Sequence, residues 1–177
     1  MSEAAKTYFK IDTALDLLKT PLFSNRYVVT FSGAGSKTTG LFDSTIGLMA
    51  NSVSMPSFTY NVKQQYVGGI NINIPNSFEQ GQLDITLYNT GKEYYSIQKW
   101  GELHYDQNKK TYSYVNDILV NIQIMQYDRS INEVLKHIFS GCTLYTFGGV
   151  QLSYEESSAI ETFNLTVQFR GYTLTKI

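Results

Sequence analysis

The stretch AIETFNLTVQFRGY, residues 159–172, alternates without a slip: Phe163, Leu165, Val167 and Phe169 fall on one side, Asn164, Thr166, Gln168 and Arg170 on the other. A period of two marks a β-strand with one face on a core. Its backbone donors and acceptors need flanking strands, so the chain must build a sheet. Other segments supply the partners. NRYVVTFS (25–32) is β-branched and aromatic, and SVSMPSFTYNVKQQYV (52–67) turns at Pro56 and then sets Phe58, Tyr60 and Val62 against Thr59, Asn61 and Lys63. GGININIP (68–75) opposes Ile70, Ile72 and Ile74 to Asn71 and Asn73. GQLDITLYN (81–89) and DILVNIQIMQYD (117–128) repeat the pattern, with turn residues between runs.

One long segment changes period. In NTGKEYYSIQKWGELHYD, Tyr94, Ile97, Trp100 or Gly101, and His104 recur at helical spacing after a capping box of Thr90 and Glu93, which predicts an amphipathic helix over about 91–105. IDTALDLLKTP predicts a shorter helix over about 12–19, capped by Asp12 and stopped before Pro21. SINEVLKHIFSGC (130–142) suits either a helix, through a second box of Ser130 and Glu133, or a strand returning from the turn YDRSIN. Residues 144–174 add two strand runs separated by Gly148, Gly149 and EESS. With no repeat or linker, residues 1–177 form a single domain: mainly β, an antiparallel sandwich or half-barrel with one flanking α-helix.

Chemistry is hard to find. VTFSGAGSKTTG (29–40) resembles a phosphate loop, but Ser36 rather than glycine precedes Lys37 and no helix pattern follows; Gly33 and Gly35 also lack the third glycine of a dinucleotide site. His104 and His137 are not at metal-ligand spacing, and Cys142 is the sole thiol, which rules out a disulfide between two cysteines of the chain. Glu155, Glu156 and Glu161 fit a solvated turn better than an acid–base pair. Asn164 heads a formal glycosylation sequon, but inside a strand. No catalytic residue, cofactor or metal is expected. The opening MSEAAKTYFK lacks the charge and apolar run of a secretory signal, and no window approaches the ~20 apolar residues of a membrane span.

Composition then bears on the polar faces. Charged residues are 16%, with 14 Lys and Arg against 15 Asp and Glu for a net charge of −1. An ordinary soluble surface uses more charge, so these faces suit partners made of the same chain; nucleic-acid backbone binding would need clustered cations. Opposite the core, the alternation places Thr59, Asn61, Lys63 and Gln65; Gln82, Asp84 and Thr86; Asn121 and Gln123; and Asn164, Thr166, Gln168 and Arg170. Long regular strands with unblunted edges invite pairing between subunits, and a head-to-tail contact that closes by rotation makes a ring.

NRYVVTF, ANSVSMPSFTYNVKQQYVGGININIPNSFEQGQLDITLYN, IQKW, DILVNIQIMQYD and above all GGVQLSYEESSAIETFNLTVQFRGY resemble, in order and spacing, the segments of tail tube proteins of contractile-tailed bacteriophages, a family related to type VI secretion tube proteins. The resemblance spans roughly residues 25–172 and departs at CTLYTFGG, where the family often has a proline. It implies a homohexamer whose sheets join into a continuous inner β-barrel, and rings stacked into a tube that passes DNA and pierces the envelope when a sheath contracts. It also selects a strand for 131–140. Implied partners are further copies, a sheath protein, tube-initiating baseplate proteins and a tape measure protein, in a virion tail assembled in the host cytoplasm. The thirteen polar residues above become candidates for the lumen, the 91–105 helix for the outside, and the N-terminal segment and loop 33–48 for ring-to-ring contacts ordered on assembly. A baseplate tube initiator, an injection-system tube of the same fold and a carbohydrate-binding β-sandwich are the alternatives.

Overall fold

A computed structural model of the chain describes residues 25–43, 46–150 and 160–177. The helix expected at 12–19 and the acidic turn at Glu155 and Glu156 lie outside these. Seven strands make one antiparallel sheet: β1 (Tyr27–Gly33), β8 (Val120–Tyr127), β9 (Glu133–Phe147), β10 (Thr162–Gln168), β5 (Leu83–Tyr88) and β2 (Ala50–Ser54) in that order, with β11 (Gly171–Lys176) also on β9. β9 pairs β8 along one side. Along its other side it pairs β10 near its end and β11 near its start, so Thr162–Lys176 runs back along β9 as one strand kinked at Phe169 and Arg170.

The sheet folds over at that kink. Gly141 has φ of 63°, a left-handed conformation that a Cβ would strain, and Arg170 lies across it. The two limbs close on one core in which Val29, Leu83, Leu87, Ile97, Trp100, Val120, Ile122, Phe139, Cys142, Leu165 and Val167 are fully buried. The alternation of residues 163–169 is thereby met: Phe163, Leu165, Val167 and Phe169 are all in the core. At the open side a 3₁₀ turn, Ile46–Met49, packs on β1 so closely that a Cβ on Gly47 would stand 1.7 Å from the Val29 carbonyl oxygen. Backbone against backbone leaves room only for glycine there.

The helix, α1, spans Lys92–His104 and buries Ile97 and Trp100. Trp100 fixes it: the indole N–H donates to the Ile118 carbonyl at 2.8 Å, and Phe42 meets the ring edge-on. The expected capping box does not form. Gly91, at φ of 84°, is the N-cap; Asn89 Oδ1 accepts its N–H, and the Thr90 hydroxyl donates to the Glu93 carboxylate rather than capping a backbone group. The second box fails more fully. Ile131 sits at φ of 65° in a turn where the Asp128 carboxylate accepts the N–H groups of Ser130 and Asn132, so Glu133 opens β9 and the strand reading of 131–140 is met.

Loop 33–43 is ordered within the subunit, contrary to the expectation that assembly orders it. Ala34 and Gly35 donate to the Leu119 carbonyl, and buried Thr38 hydrogen-bonds the same oxygen at 2.6 Å. Hydrogen bonding to residues 113–119 replaces the partner that a glycine-rich loop would otherwise need.

Candidate functional site

The chain from Ala50 to Tyr88 is one long hairpin whose inner part, β2 and β5, belongs to the sheet. Its outer part, β3 (Phe58–Val67) and β4 (Ile70–Gln80), leaves the sheet as a free two-stranded arm. Pro75 lies within β4, opposite Val62 and beside the slip in the ladder; β4 pairs only with β3 among the described residues, and an edge strand next to a bulge is where a proline is tolerated.

Nearly every arm residue is exposed, including Tyr60 at 69%, Tyr66 at 71% and Ile70 at 67%. A two-stranded ribbon has no interior to hide such side chains. The arm is held at its base, where Phe58 stacks against Tyr172 at 5.2 Å and Gln80 donates to the Phe169 carbonyl at 2.7 Å. Tyr172 in turn shares a 2.9 Å hydrogen bond with Nδ1 of His137, a buried side chain whose Nε2 has no partner and whose pKa burial holds below the usual value.

Cross-strand partners share a face, so the register sorts the arm. Tyr60 opposes Phe78, and Thr59 and Asn61 oppose Glu79 and Ser77. The ladder then slips by one residue at Asn76, and Lys63, Gln65 and Val67 oppose Ile74, Ile72 and Ile70, with Gln64 and Tyr66 opposite Asn73 and Asn71.

The thirteen sequence-derived polar residues divide among five places. Asp84, Thr86, Asn164, Thr166 and Gln168 lie together on the outer face of the limb formed by β2, β5, β10 and the end of β9, where the Thr166 hydroxyl donates to Asp84 at 2.6 Å. Ser52, Ser54, Thr143 and Thr146 join them by register, and the alternation of Ser52 and Ser54 about Val53 is the sequence signal that marks the first two. Asn121 and Gln123 belong to the other limb, half-buried, and Asn121 Oδ1 accepts the N–H of Gly141 at the fold-over. Thr59, Asn61, Lys63 and Gln65 share one face of the arm, with Asn61 bonded to Ser77 and Glu79. Gln82 falls in the break between β4 and β5, and Arg170 donates to Asn116 at the kink.

Sites with reactive chemistry are poorly equipped. An open cleft of about 570 Å³ beside α1 holds Lys37, Lys99, Glu102 and Asp106. Lys99 pairs with Glu102 at 2.6 Å, Lys37 donates to Ser113, and Asp106 accepts the N–H groups of Lys109 and Asn108, which hold its carboxyl below the usual range. Burial pushes the Cys142 thiol up to about 12. Among the described residues no three metal-ligating side chains converge, and no helix is long and apolar enough to cross a membrane.

No protein-family model matches the sequence, and no curated protein sequence does either. Solved structures match. A chain of the PVC sheath–tube complex of an extracellular contractile injection system, in its extended state, aligns at a TM-score of 0.65 and 12% identity over 93% of this chain and 98% of that one. A chain of the PVC sheath/tube terminator gives 0.64 at 13% identity, over 88% and 96%. One from the six-fold symmetrised baseplate of the anti-feeding prophage gives 0.60 at 15%, over 89% and 97%. At such identities the likeness is one of fold: a mainly antiparallel β half-barrel with a flanking helix, shared along nearly the full length of both chains.

Proposed function

We propose that this chain is the repeating structural subunit of a hollow tube in a contractile machine, forming six-membered rings that stack inside a sheath. The observation that carries the reading is the arm. Strands of 10 and 11 residues that expose Tyr60, Val62, Tyr66, Val67, Ile70, Ile72, Ile74 and Phe78 to water are stable only where other surfaces cover them. The fold shared with components of sheath–tube, terminator and baseplate structures supports further copies of the chain as that cover.

Within this reading the machine is a bacteriophage tail, and the chain does no bond chemistry. The limb bearing Asp84, Thr86, Asn164, Thr166 and Gln168 faces the lumen, where hydroxyls, amides and a single carboxylate let DNA pass without gripping its phosphates. α1 lies outermost, toward the sheath protein. Baseplate tube-initiating proteins and a tape measure protein are the remaining partners, set at the ends and in the lumen of the tube.

The test is assembly of the full chain. Light scattering after size exclusion and negative-stain microscopy should show six-membered rings or tubes; a variant with residues 58–80 replaced by a short glycine–asparagine turn should stay monomeric while its barrel unfolds as cooperatively as before. A native chain that remains monomeric at millimolar concentration, or an armless variant that still makes tubes, would refute the reading.

A further inference from the structure

Tyr172 is where the base of the arm meets the barrel. Its ring lies against Phe58, the first residue of β3, at 5.2 Å, and against Phe139 of β9 at 5.1 Å. Its hydroxyl has one hydrogen-bond partner among the described residues, Nδ1 of His137 at 2.9 Å. His137 sits on the core side of β9, between Ile124 of β8 and Leu174 of β11, and is 8% exposed. A neutral imidazole suits that place: it shares one hydrogen bond at Nδ1 and leaves Nε2, which has no partner among the described residues, uncharged. An imidazolium does not. Both nitrogens then carry N–H groups, and the charged Nε2–H has to find an acceptor or reach water.

The surroundings supply no anion. β8 faces His137 with Ile124 and, one pair along, Gln126; β11 faces it with Tyr172, Leu174 and Lys176; β1 lies beyond with Val29 and Tyr27, and the arm brings Phe58. Glu133, at the start of β9, accepts from the Tyr127 hydroxyl, and Ile177, just past β11, is exposed and bonded to the Val134 carbonyl. Burial raises the pKa of Tyr27 and Tyr172, so both stay neutral, and Lys176 adds a like charge. Water is one side chain away, because Leu174 is half exposed. We propose that His137 is a proton-operated latch on the arm: neutral, it fixes Tyr172 against Phe58; protonated, it turns out to water, the Tyr172 hydroxyl follows, and the arm pivots about the bond from Gln80 to the Phe169 carbonyl. Burial disfavours the charged imidazole, which places the release below pH 6.5. The latch belongs to the single chain, whatever covers the arm.

The test uses the full chain, taken as monomer from size exclusion, with nitroxide labels at Gln64→Cys on the arm and Gln98→Cys on α1; both sites are exposed, and buried Cys142 stays in place. The distance distribution from pulsed electron resonance should be at least twice as wide at pH 5.0 as at pH 7.5, with an unchanged far-ultraviolet dichroism spectrum. Two variants isolate the latch. His137→Gln does not titrate, and Tyr172→Phe keeps the ring against Phe58 but has no hydroxyl to follow the imidazole, so each should give the same width at both pH values. A width of the otherwise native chain that ignores pH, broadening that persists in either variant, or loss of the barrel's dichroism at pH 5.0 would overturn the proposal.

Discussion

Replacing Trp100 tests whether the helix and loop 33–43 are fixed to the half-barrel through one side chain. Trp100 is fully buried, its indole N–H occupies the Ile118 carbonyl, and its ring is met by Phe42, which stacks on Phe31 of β1 at 5.6 Å. Trp100→Ala empties the largest buried volume in the core, at about 3–5 kcal/mol for such a truncation. For a domain of this length each kcal/mol moves the midpoint by about 2–4 °C, so a fall of roughly 6–20 °C is expected. Trp100→Phe keeps most of the ring but strands the buried Ile118 carbonyl, a loss of about 1–3 kcal/mol. Urea unfolding followed by far-ultraviolet circular dichroism compares all three, because the chain has one tryptophan and its fluorescence disappears with it. A cost below about 1 kcal/mol for Trp100→Ala would contradict the burial-and-cavity reasoning. Equal costs for alanine and phenylalanine would show that the hydrogen bond, and not the volume, holds the helix.

Two further predictions concern titrating groups. Burial lowers the folded pKa of His137 below its ordinary 6.5, so the unfolded chain binds more protons between the two values; stability should therefore be level at neutral pH and decline as pH falls through about 6.5. The slope of midpoint against pH from 7 to 5 should shrink in His137→Gln, and an unchanged slope would assign it to other groups. Cys142 is fully buried with its thiol at about 12, so the native protein at pH 8 should react with a thiol reagent only on unfolding; labelling within seconds in buffer would contradict its place in the core.

Much of the sheet was legible because its residues obey one local rule. Residues 163–169, 83–87 and 120–124 alternate, and the faces so assigned are the buried ones. The helix was equally plain, since Ile97 and Trp100 recur at helical spacing and both are buried. Caps were less secure: Thr90 with Glu93 and Ser130 with Glu133 have the spacing of capping boxes, but Gly91 and Ile131 take positive φ, which turns the chain away from capping geometry in both places. Loop 33–43 was misjudged because its hydrogen-bond partners lie about 80 residues away, beyond any local pattern. The polar faces suffered most. Alternation tells which residues share a face of one strand, but not which limb that strand joins, so Asn121 and Asn164 looked equivalent although they sit on different limbs. Asn76 is invisible to the same rule, because a bulge is defined by the partner strand and not by the residue itself.

The pairing of β9 with the kinked strand 162–176 has a mechanical meaning. β9, at 15 residues, is the longest strand among the described residues, the kinked segment runs antiparallel beside it, and together they tie both limbs. A load applied along them strains the rungs of the ladder together, and many must fail at once. A load applied across them peels the rungs one after another from an end. Toughness in this fold therefore has a direction, and a subunit that has to transmit thrust gains only if its neighbours hold that ladder lengthwise to the force.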